Sequence, residues 1–322
     1  MTRIPLGTYP TPVLPVENVA GRSTLYVKCD DATSSEYGGN KVRKLEYFFG
    51  AAREAGKRRI LTVGAVGSHQ VVATAIFGAR LGFDVDVVLV PQPASAHAEK
   101  NVRLALANGI RATACPAWSL APFVLLSRFG RDAYFVPLGG SNALGSLGFV
   151  DAALELADQV KAGALPEPDV VIVALGSGGT AAGLAVGFEK AKMKTRVIGV
   201  AISHPAFALG VAARRLAASV GAHAGLSWRD SLRAARRVEV DGRWVGRGYG
   251  YPTKEGVRAT DTGARAGITL DPTYTAKAFA CALDAVERGR HPNVLFWNTV
   301  SSAAIASPPH ADLPKGVARL LR

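Results

Sequence analysis

Lys41 closes the tetrad Gly38-Gly39-Asn40-Lys41, between a short apolar run, Thr24 to Lys28, and an apolar-periodic segment that starts near Arg43. Glycine adopts backbone angles that other residues resist and lets a ligand lie close to the chain. A lysine at a helix start with Arg43 and Lys44 beside it is expected to release its proton more readily than a solvated one, and the neutral amine is a nucleophile. Taken alone, the same residues also read as a surface lysine at a helix start. A second group, Gly176-Ser177-Gly178-Gly179-Thr180, follows an apolar run and opens a further helical segment. Successive glycines let backbone N–H groups converge, and the helix N-terminus adds partial positive charge, so this turn suits a phosphate or carboxylate. A third group, Gly64-Ala65-Val66-Gly67-Ser68-His69-Gln70, sets a hydroxyl, an imidazole and an amide at another helix start.

The glycine-rich turn also matches the permissive dinucleotide fingerprint as Gly176-x-Gly178-x-x-Ala181. The acidic residue that should follow the next strand is missing, since Val197 to Ile202 leads into Ser203-His204-Pro205. There is no Gly-Lys-Ser/Thr phosphate loop either. A cup for a single phosphate fits better, and a strand-to-helix turn without a ligand stays open.

These groups need a frame, and the hydrophobic pattern supplies one. Arg59 to Val63 reads as a buried strand, Ser68 to Leu81 as a helix with Ser68 as N-cap, Val85 to Val90 as a strand, Ala96 to Asn108 as a helix and Ile110 to Ala114 as a strand. A long helix, about Leu147 to Lys161, leads to the strand Val170 to Leu175, a helix from Thr180 to Ala191 and the strand Arg196 to Ile202. Pro205 to Ala235 reads as helices, Thr273 to Arg288 as a helix and Val294 to Trp297 as a late strand. Repeated strand-helix-strand implies parallel sheets with right-handed crossovers. Ligands of such folds gather at the carboxyl ends of strands.

The chain has 322 residues, 48% hydrophobic and 20% charged, enough for about two domains. No apolar run approaches a membrane span, and Met1-Thr2-Arg3-Ile4-Pro5 lacks the apolar core of a signal peptide. Cys29, Cys115 and Cys281 have no metal spacing, which points to a reducing cytoplasm without disulfides. The net charge of +13 is spread along the chain. No zinc-finger spacing or RNA-binding aromatic signature accompanies it, so a nucleic-acid partner is not expected.

Lys41, the Ser68 turn and the Gly176 to Thr180 cup occur in the order and spacing of the fold-type-II pyridoxal-phosphate enzymes. Among them the chain resembles the D-cysteine desulfhydrase and 1-aminocyclopropane-1-carboxylate deaminase group. The likeness is carried by Pro10-Thr11-Pro12, Lys28-Cys29-Asp30-Asp31, the string Gly-Gly-Asn-Lys-x-Arg-Lys-Leu-Glu-Tyr from Gly38, Gly139-Gly140-Ser141-Asn142, the cup, Gly248-Tyr249-Gly250, Asp271-Pro272-Thr273-Tyr274-Thr275 and Thr299. The resemblance implies an α/β protein of two three-layer αβα domains with mostly parallel open sheets, tryptophan synthase β-like. Residues 1–43 and 155–322 would form the larger, cofactor-binding domain and 44–154 the smaller one. It further implies a homodimer and a small amino-acid substrate.

By the same resemblance, Lys41 carries pyridoxal 5′-phosphate as a Schiff base and later takes the substrate's α-proton. Gly176, Ser177, Gly178, Gly179 and Thr180 hold the phosphate, with a charge-assisted contact from Lys44. Ser68 binds the substrate carboxylate or relays a proton, with His69 and Gln70 beside it on the substrate side. Tyr249 and Tyr274 are active-site tyrosines, able to pass a proton to a leaving group. Thr275 stands where ring-opening deaminases resemble Asp-Pro-x-Tyr-Glu, and with Thr299 it points to a neutral hydroxyl near the cofactor's ring nitrogen. A milder electron sink suits α,β-elimination from a small β-substituted amino acid to a 2-oxo acid and ammonia. The chain departs from the group at His69, where an asparagine usually bonds the cofactor's 3′-oxygen and histidine can donate in its place. It departs again at Val300-Ser301-Ser302, in place of a glycine pair, and at Cys29, where arginine is common. These changes suggest a substrate other than D-cysteine. Replacement, racemisation, ring opening and a non-catalytic cofactor- or anion-binding protein remain as alternatives.

Overall fold

The computed structural model describes residues 2–17, 19, 23–305 and 312–321. In chain order the strands are β1 (Val13–Pro15), β2 (Thr24–Cys29), β3 (Arg59–Ala65), β4 (Asp84–Val90), β5 (Arg111–Ala114), β6 (Ala133–Val136), β7 (Val170–Leu175), β8 (Arg196–Ala201), β9 (Val238–Asp241) and β10 (Asn293–Asn298). The helices are α1 (Asn40–Glu54), α2 (His69–Arg80), α3 (Ala96–Ala107), α4 (Ala121–Arg128), α5 (Ala143–Lys161), α6 (Gly179–Lys190), α7 (Ala206–His223), α8 (Trp228–Arg236), α9 (Lys254–Arg265), α10 (Thr275–Arg288) and α11 (Lys315–Ala318).

The chain divides into two compact units. One comprises Met1–Leu6, Leu45–Gly140 and Ala304–Arg322, the other Gly7–Lys44 and Ser141–Ala303. The first holds a four-stranded, wholly parallel sheet in the order β5-β4-β3-β6. The second holds a six-stranded sheet, β1-β2-β10-β7-β8-β9, parallel except for the edge pair β1 and β2. The α/β fold with mostly parallel sheets is therefore as the sequence implies.

Strand β7 shows why the six-stranded sheet is covered on both faces. Its side chains alternate, so Val171, Val173 and Leu175 enter one core with α5 to α8, while Val170 and Ile172 enter another with α9 and α10. Helices α5 and α6 meet through small residues. A Cβ on Gly183 would lie 2.3 Å from the Ser146 carbonyl oxygen, so only glycine allows this approach. That packing fixes α6, whose first turn carries the glycine-rich cup.

Three local differences from the sequence reading have physical reasons. Helix α1 begins at Asn40, not near Arg43, because Gly38 and Gly39 already complete the turn and Asn40-Lys41-Val42 continues into the periodic segment. Ser68 occupies the N-cap of α2 with extended angles, yet its hydroxyl does not cap the helix. Strands β1, β6 and β9 and helices α4, α9 and α11 went unread. These strands have three or four residues, too few to establish a period.

Candidate active site

The turn that presents Lys41 is clamped by the carboxyl ends of β2 and β10. Gly39 N–H donates to Asp30 O at 2.8 Å, Asn40 N–H to Thr299 O at 3.1 Å and Gly38 N–H to Ser301 Oγ at 2.8 Å. Both glycines are required: Gly39 has φ +90°, and a Cβ on Gly38 would fall 1.9 Å from Asp31 O. Two residues on, Arg43 binds Asp30 through Nε and Nη2 at 2.9 and 2.8 Å and Glu155 through Nη1 at 2.9 Å. Trp297 Nε1 donates to the same Asp30 carboxylate at 2.8 Å. This buried network anchors the first turn of α1 against β2, β10 and α5. Arg43 is thus neutralised by carboxylates and is not what depresses Lys41. The amine of half-buried Lys41 is lowered to about 8 by burial, against the opposing pull of Asp271.

The cup forms where α6 begins. Gly178 takes φ +87° at the N-cap, a left-handed angle that turns successive N–H groups inward. Lys44 Nζ donates to Ser141 Oγ at 3.1 Å, and Ser141 Oγ lies 2.7 Å from Ser177 Oγ and accepts from Gly179 N–H at 3.2 Å. Asn40 Nδ2 donates to Thr180 Oγ1 at 3.0 Å, joining the lysine-bearing turn to the same helix start. A buried amine, hydroxyls and a helix N-terminus thus converge on one place. Burial and the charge of Lys41 together hold Lys44 well below its ordinary value. An anion at the cup would relieve that cost, so the donor set fits the phosphate of a monophosphate cofactor.

The two tyrosines meet as a pair. Tyr249 Oη and Tyr274 Oη are 2.7 Å apart, with the rings edge to face at 5.8 Å. Burial pushes Tyr249 up to about 12 and Tyr274 well above its usual range, so both phenols keep their protons. Asp271 fixes Tyr274 by accepting the N–H groups of Thr273, Tyr274 and Thr275 and the hydroxyl of Thr275. Lys277, fully buried, donates to the carbonyls of Val245 and Gly248 at 2.9 and 3.0 Å and so braces the loop of Tyr249. Thr275 therefore closes the Asp271 turn, while Thr299 follows β10 beside the Gly39 turn.

The four-stranded unit carries the Ser68 group. Gly67 N–H donates to Gln92 Oε1 at 3.0 Å and its carbonyl accepts from Asn101 Nδ2 at 2.9 Å, which pins the turn on both sides. His69 Nε2 lies 3.1 Å from His97 Nε2. Gln70 is buried, and its amide donates to Thr74 Oγ1 at 2.9 Å within α2. The structure thus gathers Lys41, Lys44, the cup, Tyr249, Tyr274, Thr275 and Thr299 in the six-stranded unit, and Ser68, His69 and Gln70 in the four-stranded unit. Sequence reasoning missed Ser141, Asn40, Asp271, Lys277, Asn101 and His97 as site-building residues. For Ser141 a signal existed, since Gly139-Gly140-Ser141-Asn142 is part of the resemblance.

The family model described as "Pyridoxal-phosphate dependent enzyme" matches residues 4–298. The chain belongs to this family of pyridoxal-phosphate dependent enzymes. It is 35% identical to a D-cysteine desulfhydrase of Klebsiella pneumoniae (strain 342), over 96% of this chain and 97% of that protein. The crystal structure of an ACC deaminase homologue is similar with a TM-score of 0.75 and 30% identity, covering 94% of this chain and 92% of that one. A fungal L-serine ammonia-lyase from Rhizomucor miehei shares the fold, with a TM-score of 0.66 and 19% identity over 94% and 95% of the two chains. Pyridoxal phosphate is accordingly the cofactor, and the cup with Lys41 fits it. Among the described residues no helix is long and apolar enough to cross a membrane.

Proposed function

We propose that this enzyme eliminates the β-substituent of a small amino acid, giving a 2-oxo acid and ammonia. The observation that carries this reading is Lys41, a half-buried amine lowered to about 8, on a turn tied to the anion cup through Asn40 and Thr180. The named activities of the desulfhydrase and deaminase relatives support it. When bound, pyridoxal phosphate supplies the electron sink that stabilises negative charge at the substrate's Cα.

The chain's own residues supply the rest. Lys41 would hold the cofactor, and its amine, when free, would be the base that takes the substrate's α-proton. Gly176 to Thr180, Lys44 and Ser141 hold the phosphate. Tyr249 and Tyr274 keep their protons to high pH and have one to offer to a departing β-group. Thr299 is the neutral hydroxyl proposed for the ring nitrogen. Ser68 is assigned to the substrate carboxylate, which suits a hydroxyl that does not cap its helix. The reading includes a homodimer. Phe123, Leu126 and Phe129 of α4 and its end, with Trp118, are 71, 75, 57 and 46% exposed. They offer roughly 500 Å² of apolar surface, against about 800 Å² per partner in a standard interface. Cytoplasmic residence is proposed from the free thiols of Cys29, Cys115 and Cys281.

Purified protein should carry the visible absorbance of a lysine-bound cofactor and sediment at twice the chain mass. It should convert β-substituted amino acids to 2-oxo acid and ammonia in equal amounts. Lys41→Ala should be colourless and inactive. Exchange of the α-proton in heavy water without 2-oxo acid would refute elimination, and a wild type that takes up no cofactor would refute the whole reading.

A further inference from the structure

The first N–H groups of a helix, and those of the turn before it, find no acceptor within the helix. At the start of α1 these are the N–H groups of Gly38, Gly39 and Asn40. Asp30 O accepts from Gly39 at 2.8 Å, Thr299 O from Asn40 at 3.1 Å and Ser301 Oγ from Gly38 at 2.8 Å. Two of these three acceptors are main-chain carbonyls, which any residue supplies. The third is a hydroxyl, so the hold on Gly38 depends on the side chain of Ser301. Ser301 belongs to the segment where the group that this chain resembles has a glycine pair, and glycine has no hydroxyl to offer. Gly38 is buried, so water is no ready replacement, and an unmet buried donor is costly.

The neighbours of Ser301 keep its hydroxyl in place. Ser301 Oγ also accepts from Ala303 N–H at 3.3 Å, within its own turn. Ser302 donates to Asp31 O through both its N–H and its hydroxyl, each at 3.1 Å. Asp31 O is the atom that a Cβ on Gly38 would meet at 1.9 Å, and a Cβ on Gly39 would lie 2.5 Å from Thr299 O and 2.9 Å from Val300 O. The segment from Thr299 to Ser302 is thus packed along the turn, with room for glycine alone at Gly38 and Gly39. Asn40 carries the register onward. Its side-chain nitrogen donates to Thr180 Oγ1 in the cup at 3.0 Å, and all of these residues belong to the six-stranded unit.

We propose that Ser301 is a positioning residue: its hydroxyl fixes the Gly38 end of the turn and so sets the reach of Lys41 from the anion cup, matching the distance from the cofactor's phosphate to its aldehyde carbon. This rests on the reading of Lys41 as the lysine that bonds pyridoxal phosphate. In that bond the Lys41 nitrogen adds to the aldehyde carbon and water leaves. With the phosphate already seated in the cup, the reaction is intramolecular, and its equilibrium depends on how closely the bound geometry matches the bond to be formed. Lys41 lies three residues beyond Gly38 on a tightly packed turn. A shift at Gly38 therefore moves the amine relative to the cup while leaving the cup itself intact.

Two forms of the vitamin separate the reach of Lys41 from the grip of the cup. Pyridoxal 5′-phosphate carries the aldehyde, whereas pyridoxine 5′-phosphate carries an alcohol in its place and keeps the phosphate, so it reports on the cup alone. Equilibrium dialysis of the cofactor-free full chain gives both dissociation constants, and their ratio measures the preference for the aldehyde. Ser301→Ala should reduce that preference by roughly 3–10-fold and leave the pyridoxine phosphate constant within about twofold of wild type. Ser301→Thr keeps the oxygen and should restore the preference to within about twofold of wild type. A Ser301→Thr protein as impaired as Ser301→Ala would overturn the proposal, because the hydroxyl would not be the cause. Equal weakening of both ligands in Ser301→Ala would also overturn it, making Ser301 a purely structural residue. Lys41→Ala sets the scale, with the preference for the aldehyde lost. An unchanged preference in Ser301→Ala, beside its loss in Lys41→Ala, overturns the role of Ser301 and leaves Lys41 as the cofactor's lysine. An unchanged preference in Lys41→Ala overturns both.

Discussion

Lys44 and Ser141 show how a buried cation is made useful. The amine sits at the start of α6 with Ser141 Oγ at 3.1 Å, and burial lowers its affinity for a proton. A phosphate in the cup would restore the charged form. Each charge-assisted hydrogen bond contributes about 1.5–3 kcal/mol. Lys44→Met is thus expected to raise the dissociation constant of pyridoxal phosphate by roughly 10–150-fold, and Ser141→Ala by only a few fold, read by equilibrium dialysis. An unchanged constant in Lys44→Met would place the phosphate elsewhere. Lys41 and the cup were legible in the sequence because glycines and a lysine in fixed order have few other uses. Ser141 was signalled only by the Gly139-Gly140-Ser141-Asn142 string of the resemblance; its role depends on a loop returning to α6 from 36 residues before Ser177, a closure that no local pattern encodes.

At the scale of elements, α10 does more than cover the sheet. Its first turn is organised by Asp271, which fixes Tyr274, and its third residue, Lys277, reaches the carbonyls under Tyr249. One helix thereby positions both members of the tyrosine pair. Lys277→Met would leave those carbonyls unpaired, at a cost of about 1–3 kcal/mol in stability. If the pair delivers the leaving-group proton, kcat should fall by roughly tenfold or more with cofactor affinity unchanged. Urea denaturation and steady-state kinetics on the holoenzyme check both parts, and unchanged kcat with the expected loss of stability would make Lys277 purely structural. The parallel strands and the long helices α5, α6 and α10 were readable from apolar periodicity. The short edge strands β1 and β9 were not, since an edge strand half exposed to water needs little apolar sequence. Nor does any local pattern reveal that Gln70 turns inward to Thr74, which depends on the packing around α2.

Buried lysines, Lys41 and Lys277 among them, tie the stability of the whole molecule to pH. Lys41 and Lys277 are both lowered from 10.5 to about 8 by burial. Between those values the unfolded chain binds more protons than the folded one, so folding stability rises with pH across this window. Below about pH 8 both states are protonated and the dependence from these groups vanishes. The net charge of +13 also falls as pH rises, and the lessened self-repulsion acts in the same direction. A variant separates the two causes. Cofactor-free wild type should show a urea midpoint that climbs from about pH 8 to pH 10, and Lys41→Met should climb less steeply because one of the depressed amines is gone. The holoenzyme should resemble Lys41→Met in slope, because an amine bound to the cofactor no longer titrates as a free lysine. Its absolute midpoint should stand higher at every pH, since a ligand held by the folded state alone adds stability. Parallel curves for wild type and Lys41→Met would mean that Lys41 is an ordinary solvated lysine, and the chemical case for it as the cofactor's anchor would lose its electrostatic support.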